Sequence, residues 1–273
     1  MWLPSLLAFD LDDTLLNSAG ELSEGTREAV RAAVGRGCRF AIVTGSLHHR
    51  AASYYAQLGV SGPIISYNGA LLRESDNSRT YHHLPLSPEQ ALRVLAFADE
   101  RHVHANVYVD DTLYVRATNP YSELYRTRHG STALEYPRLE ELAVHAPTKI
   151  LLISEPEVIR RLREEAQAAF PDLYVTISKP EYLEFLNPNA SKGKALRVLA
   201  EEVLGLRADQ VAAAGDSYND LDMLAYAGLG IAPANALPEV REQADYVCPS
   251  SDEDGAAVAI ERILAGEVAP SRR

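Results

Sequence analysis

The residues best suited to chemistry stand in the stretch "LLAFDLDDTLLNS", residues 6–18, which places Asp10, Asp12 and Asp13 at the end of an apolar run. Carboxylates this close to one another repel, and a buried carboxylate without a positive partner is costly. We therefore predict that a cation completes the site formed by these residues.

A metal ion is the cation that this pattern favours. In an extended strand, residues i and i+2 point to the same side, so Asp10 and Asp12 are expected to share a face at the carboxyl end of the first strand. Ligands of open α/β sheets bind at that end of the strands. Asp216, in "GDSYND", lies at the carboxyl end of another predicted strand. Asp10, Asp12 and Asp216 offer the hard oxygen ligands that suit Mg²⁺, the predicted cofactor.

Further polar residues at the same edge of the predicted sheet are suited to holding a phosphoryl group. Lys192 follows Ser191 at a predicted helix start, where it adds a fixed positive charge. Thr44 and the backbone amide of Gly45 lie at the carboxyl end of the second predicted strand and can donate hydrogen bonds to an anion. Together these groups predict a phosphate-binding pocket.

Such a pocket would let a carboxylate attack phosphorus, because Mg²⁺ and Lys192 offset the repulsion between the two anions. Asp10 is the predicted nucleophile because it is nearer the strand, and the product is an aspartyl-phosphate. Asp12 is the predicted acid and base, which protonates the leaving oxygen and then activates water.

Alternating apolar runs and amphipathic stretches predict the elements that position these residues. The runs are continuous, as is typical of parallel strands buried on both faces. Helices between them imply a doubly wound α/β sheet. The predicted strands are residues 5–11, 39–45, 63–69, 210–216, 229–233 and 245–249. The predicted helices are residues 24–36, 47–58, 191–205, 219–228, 237–244 and a last one from about Glu253.

The middle of the chain has a different pattern. Residues 102–118 alternate apolar and polar side chains, which predicts an antiparallel hairpin, and residues 173–186 form a second hairpin candidate. A helix is predicted between them. We therefore expect residues 1–82 and 187–273 to form a core domain, and residues 83–186 to form an inserted α+β domain.

Four motifs occur in order along the chain: "DLDDTLL" from Asp10, "VTG" from Val43, "SKG" from Ser191 and "GDSYNDLDML" from Gly215. In this order they resemble the motifs of the haloacid dehalogenase superfamily, and within it the Cof-type sugar-phosphate phosphatases with a type IIB (C2) cap. The resemblance implies a Rossmann-like catalytic core, with residues 83–186 as a cap that sets substrate specificity. It implies a hydrolase that removes phosphate from small phosphorylated metabolites.

The resemblance also implies roles for individual residues. Asp12 would give its backbone carbonyl to Mg²⁺ in addition to acting as acid and base, and Asp216 would be a direct ligand. Asn219 and Asp220 would support the metal, Lys192 and the phosphate, with Asn219 on the phosphate and Asp220 outside the direct metal ligands. A sugar phosphate is the substrate implied first, followed by phosphorylated cofactors such as pyridoxal phosphate or flavin mononucleotide. Ser46 departs from the family, because many Cof-type members have arginine after "TG".

The charge and composition of the chain limit the classes of partner and the cellular location that we expect. The formal net charge of −12 argues against nucleic acid, whose partners carry clustered lysine and arginine. The start "MWLPSLLAFD" lacks a basic region, and no apolar run is long enough to span a bilayer, so neither a signal peptide nor a membrane is expected. The two cysteines, Cys38 and Cys248, have no metal-ligand spacing and no companions for a disulfide framework, and this favours a reducing cytoplasm. A monomer and a homodimer both stay open.

Two other functions stay open. A phosphomutase needs the same aspartate pair but must keep water from the intermediate. A non-catalytic protein that binds phosphometabolites is the third possibility, and Ser46 is the residue that lends it support. The joint presence of Asp10, Asp12, Lys192 and Asp216 favours catalysis, because a binding protein has no need of a nucleophile and an acid at i and i+2.

Overall fold

The computed structural model describes residues 2–270, which divide into two compact units. The first unit runs to His82 and resumes at Ser191, and the second comprises His83–Ala190. The strands are β1 (Leu6–Asp10), β2 (Arg39–Val43), β3 (Pro63–Ser66), β4 (Leu71–Glu74), β5 (Thr80–His83), β6 (His104–Val109), β7 (Thr112–Val115), β8 (Leu134–Glu135), β9 (Lys149–Ile153), β10 (Tyr174–Lys179), β11 (Tyr182–Leu186), β12 (Val211–Ala214), β13 (Leu229–Pro233) and β14 (Tyr246–Cys248).

The helices alternate with the strands in both flanking parts of the chain. They are α1 (Glu24–Gly35), α2 (His48–Leu58), α3 (Pro88–Glu100), α4 (Pro120–His129), α5 (Pro156–Ala169), α6 (Lys192–Arg197), α7 (Leu221–Tyr226), α8 (Pro238–Gln243) and α9 (Gly255–Ala265). Among residues 2–270, no helix has the length and apolar character needed to cross a membrane.

The sheet of the first unit has the order β14-β13-β12-β1-β2-β3-β4-β5. The pairs from β14 to β3 are parallel, whereas β4 pairs with β3 in the antiparallel direction. The predicted doubly wound α/β fold is therefore confirmed. The sequence interpretation did not identify β4 and β5, which are only four residues each.

Strand β1 shows why the sheet needs helices on both sides. All five of its residues are buried. Leu7 and Phe9 pack in a cluster with buried residues of α1, α2 and α9. Leu6 and Ala8 pack in a second cluster with buried residues of α6, α7 and α8. Successive strand side chains point to opposite faces, so a continuous apolar run supplies both cores.

Local sequence signals fix the ends of the helices next to the site. The Ser23 side chain accepts a hydrogen bond from the Thr26 amide and caps α1. Helix α2 ends at Gly59, whose φ of 69° is the left-handed conformation that glycine adopts without strain. Helix α6 is shorter than predicted, because residues Val198–Val203 continue as a wider π-helical turn.

The second unit is a mainly antiparallel sheet with the order β10-β11-β9-β6-β7-β8. Both predicted hairpins are present, β6 with β7 and β10 with β11. Asp110 and Asp111 form the first turn with φ of 47° and 59°. Buried residues of α3 and α5 join those of the sheet in one core, so this unit has the predicted α+β architecture.

Candidate active site

The carboxyl ends of neighbouring parallel strands bring the candidate residues together. Asp10 is the last residue of β1, Thr44 follows β2, and Asp216 comes shortly after β12. One oxygen from each of Asp10, Asp216 and Asp220 lies within 4.8 Å of the others. The three carboxylates are buried or half-buried. This edge of the sheet therefore carries a compact acidic cluster.

Lys192 joins two of these carboxylates. Its Nζ atom donates to Asp10 Oδ1 and to Asp220 Oδ1, each at 2.6 Å. The lysine side chain is 1% exposed. It is the first residue of α6, where the Ser191 side chain accepts from the Lys194 amide and caps the helix. A cap followed by lysine thus places a fixed cation inside the acidic cluster.

Asp220 folds the loop after β12 back on itself. Its Oδ2 atom accepts from the backbone amides of Asp216 at 3.1 Å and Ser217 at 3.0 Å. Gly215 permits this approach, because a Cβ atom there would lie 2.4 Å from the Asp220 side chain. Both carboxylate oxygens of Asp220 therefore accept hydrogen bonds from this chain, Oδ1 from Lys192 and Oδ2 from the two backbone amides.

Asp216 is held by a residue that the sequence interpretation did not single out. The Thr14 hydroxyl donates to Asp216 Oδ1 at 2.9 Å. Thr14 belongs to the motif that begins at Asp10. Its position in that motif is the sequence feature from which a role in the site could have been predicted. The bond joins two motifs that are 202 residues apart in the chain.

The cluster holds more negative than positive charge when its carboxylates are ionised. Burial raises the pKa of Asp10 well above its usual range, while Lys192 lowers it and Asp220 raises it further. Burial, followed by the charge of Asp220, raises the pKa of Asp216 to about 7. Burial lowers the pKa of Lys192, but the carboxylates of Asp10 and Asp220 outweigh it and raise that pKa above its usual value. A further cation would relieve this repulsion.

Asp12 lies beyond the strand rather than on it. Strand β1 ends at Asp10, and Leu11–Leu15 form an irregular helical turn in which Asp12 has φ −77° and ψ 133°. The expectation that the strand continues to residue 11 is therefore wrong by one residue. Asp13 follows with a left-handed φ of 59°. The carboxylate of Asp12 accepts from the Arg50 guanidinium at 2.7 and 2.9 Å.

Arg50 contacts both Asp12 and Ser46, and the sequence interpretation did not identify this arginine. Arg50 Nη1 donates to Ser46 Oγ at 2.9 Å, and the Ser46 amide donates to Thr44 Oγ1 at 3.0 Å. Arg50 is four residues after Ser46 in "TGSLHHR". This spacing of about one helical turn is the sequence feature from which a contact between the two side chains could have been predicted.

The candidate phosphate-binding residues lie on two connected loops. The Asn219 side-chain amide donates to Asn68 Oδ1 at 2.9 Å, and the Asn68 backbone amide donates to Thr44 O at 3.0 Å. A Cβ atom on Gly45 would lie 2.8 Å from Asn68 Oδ1, so these loops are in close contact. The Asn219 Oδ1 atom is buried without a hydrogen-bond partner within residues 2–270. Asn68 belongs to the stretch "SYNGA", but its role needed the structure.

This chain is similar to known proteins in sequence and in structure over nearly its whole length. Residues 7–260 match the model of a family described as haloacid dehalogenase-like hydrolase. The chain is 30% identical over 267 residues to the putative phosphatase YxeH of Bacillus subtilis (strain 168), covering 95% of this chain and 98% of YxeH. It is 27% identical to the 5-amino-6-(5-phospho-D-ribitylamino)uracil phosphatase YwtE of the same strain, covering 96% and 99%. The crystal structure of TM0651 from Thermotoga maritima is similar with a TM-score of 0.83 and 31% identity, covering 96% and 97%.

Proposed function

The chain belongs to the haloacid dehalogenase-like hydrolases, and we propose that it is a Mg²⁺-dependent phosphatase of small phosphorylated metabolites that acts through an aspartyl-phosphate on Asp10. The observation that carries this proposal is the buried cluster in which the Lys192 ammonium contacts Asp10 and Asp220 at 2.6 Å. A nucleophile held beside a fixed cation is what attack on a phosphate anion requires.

The donor set fits Mg²⁺. Its members are carboxylates, which are hard oxygen ligands, and one lysine leaves negative charge uncompensated among them. Asp10 and Asp216 would hold the ion directly, with the Asp12 backbone carbonyl, as the family pattern implies. Asp220 already accepts from Lys192 and two backbone amides, which supports its role outside the direct ligands. When bound, Mg²⁺ would neutralise phosphoryl oxygens and stabilise the charge that develops on them.

The chain's own residues would perform the two steps as follows. A carboxylate oxygen of Asp10 forms a bond to phosphorus while the bond from phosphorus to the leaving oxygen breaks. Asp12 gives its proton to that oxygen and becomes a carboxylate. It then takes a proton from water, which attacks phosphorus and breaks the bond to Asp10. Inorganic phosphate leaves, and Asp12 carries a proton again.

Other residues would bind the phosphate rather than react with it. Lys192 supplies charge, while Thr44, the Gly45 amide and Asn219 supply donors. The Asn219 side-chain nitrogen uses one hydrogen in its bond to Asn68 Oδ1 and has a second one, which supports a role as donor to phosphate.

We propose a sugar phosphate or related polyol phosphate as the substrate, which the family resemblance and the ribityl phosphate in the name of YwtE support. The second unit, His83–Ala190, is proposed as the domain that selects the leaving group. Cys38 and Cys248 are buried free thiols, which supports a reducing compartment such as the cytoplasm.

Release of inorganic phosphate from a panel of sugar phosphates, nucleotides and phosphorylated cofactors tests the proposal. Mg²⁺-dependent release that disappears in Asp10→Asn is expected, and excess chelator should abolish it. Asp13→Asn is the matched control, because it removes a neighbouring carboxylate and asparagine tolerates the left-handed φ of 59°. Its activity should stay within a few-fold of the native value.

The same panel separates the other two functions. Turnover that needs a sugar bisphosphate activator and gives an isomeric phosphate would indicate a phosphomutase. Absence of any phosphate release by the folded protein, together with ligand-induced stabilisation, would indicate a binding protein and contradict the phosphatase.

A further inference from the structure

The Arg50 guanidinium holds both carboxylate oxygens of Asp12. Nη2 donates to Oδ1 at 2.7 Å and Nη1 donates to Oδ2 at 2.9 Å. The arginine side chain is 9% exposed, and that of Asp12 is 27% exposed. Two parallel bonds from a planar fork fix the direction of a carboxylate as well as its distance.

The guanidinium is itself held by neighbouring residues. Nη1 also donates to Ser46 Oγ at 2.9 Å, and the Ser46 amide donates to Thr44 Oγ1. The ring of Tyr54 lies 5.7 Å from the Arg50 Cζ atom, within cation–π range. The fork is thus anchored to the residues that directly follow β2.

We propose that Arg50 is the positioning residue for Asp12 in the reaction proposed above, with Ser46 as its support. This inference rests on the phosphatase function, because it assigns a partner to the acid of that reaction. Asp12 lies in an irregular turn beyond β1, where the strand no longer fixes its side chain. A proton donor must be held close to its productive geometry to be effective.

The bonding pattern assigns different tasks to the two oxygens of Asp12. Nη1 has a second acceptor in Ser46 Oγ, so it keeps a partner when Asp12 Oδ2 turns to the leaving oxygen. We expect Nη2 to keep its bond to Oδ1, so that Oδ1 holds the direction of the carboxylate while Oδ2 turns to the leaving oxygen.

Leaving-group dependence distinguishes this role from a structural one. A sugar or polyol alkoxide is a poor leaving group that needs a proton as it departs, whereas 4-nitrophenolate departs without one. The ratio kcat/KM covers the steps up to departure of the leaving group. Loss of a residue that positions the acid should therefore lower kcat/KM for alkyl phosphates selectively.

The experiment compares kcat/KM with Mg²⁺ for the best alkyl phosphate of the panel and for 4-nitrophenyl phosphate. Arg50→Met should lower the alkyl value about 10²-fold and the aryl value less than about threefold. Arg50→Lys and Ser46→Ala should give smaller losses with the same selectivity, and they test the inference if Arg50→Met does not fold. Arg39→Met is the control, because Arg39 is exposed at the start of β2 in the same unit, and it should change neither value.

Equal losses for both substrates would overturn the inference, because they would indicate a structural or phosphate-binding role. Unchanged values for both would overturn it as well. A native protein that hydrolyses neither substrate would instead refute the phosphatase itself, so the two failures are distinguishable.

Discussion

Replacement of Lys192 by methionine tests the electrostatic account of the site. The substitution keeps the length of the side chain but removes the ammonium group that joins Asp10 and Asp220. Both carboxylates are buried, and Asp220 is 0% exposed. The variant therefore leaves two acids in the interior without the cation that compensates them.

The magnitude follows from the two bonds that are lost. Each is 2.6 Å long and involves charged groups on both sides. Hydrogen bonds to charged groups contribute about 1.5–3 kcal/mol each, and removal of one partner from a buried ion pair costs about 3–5 kcal/mol. We expect the free energy of unfolding to fall by about 3–5 kcal/mol in the presence of chelator, and phosphate release to be lost.

Urea denaturation followed by the fluorescence of Trp2 measures this change. Trp2 is the one tryptophan of the sequence and packs on the core of the unit that contains the site. Lys194→Met is the matched control, since Lys194 is exposed on the same helix, and it should change stability by no more than about 0.5 kcal/mol. A loss below about 1 kcal/mol in Lys192→Met would refute the view that Lys192 compensates buried charge.

Three further predictions concern metal, pH and backbone packing. Mg²⁺ at about 100 times its Kd should stabilise the native protein by about 2.7 kcal/mol, and Asp216→Asn should lose most of this gain in a thermal titration. Burial lowers the pKa of His104, partly offset by its bond to Asn106, so the folded state binds fewer protons than the unfolded chain. The contribution of neutral His104 to the free energy of unfolding is complete above about pH 6.5. It is lost as the pH falls toward the lowered pKa, by at most about 1.4 kcal/mol per pH unit. Urea denaturation should show no such loss in His104→Gln. Gly215→Ala should lower the free energy of unfolding by at least about 2 kcal/mol and weaken Mg²⁺ binding, because the added Cβ would meet the Asp220 side chain. Gly35→Ala is the control, because its Cβ would meet open space, and it should be neutral or stabilising in the same assays.

The sequence was informative about elements whose pattern is local. Continuous apolar runs predicted the parallel strands, since strands covered on both faces carry no polar alternation. The predicted helices 24–36 and 47–58 agree with α1 and α2 to within one residue at each end, because the caps Ser23 and Gly59 act within one turn. The short strands β4 and β5 were not predicted, because β4 pairs with β3 and β5 lies next to β4, so each depends on a neighbouring strand rather than on a pattern of its own.

Within the site, the order of motifs was enough to predict the family, which the comparisons confirm. The roles of individual residues stay predictions. Only the structure shows that three further residues belong to the site: Thr14, Asn68 and Arg50. Each acts on a partner that is distant in the chain, such as Asp216 for Thr14 and Asp12 for Arg50.

The amino-acid sequence by itself determined which chemical groups stand at the ends of the strands, because strand and helix patterns and the residues that end them are local properties. The tertiary structure decided which groups meet. Lys192 reaches Asp10 across 182 residues of sequence, and Asp12 turns to Arg50 while Asp220 joins the acidic cluster. These choices depend on where the polypeptide leaves each strand and how the loops pack, and charge complementarity alone would allow several pairings.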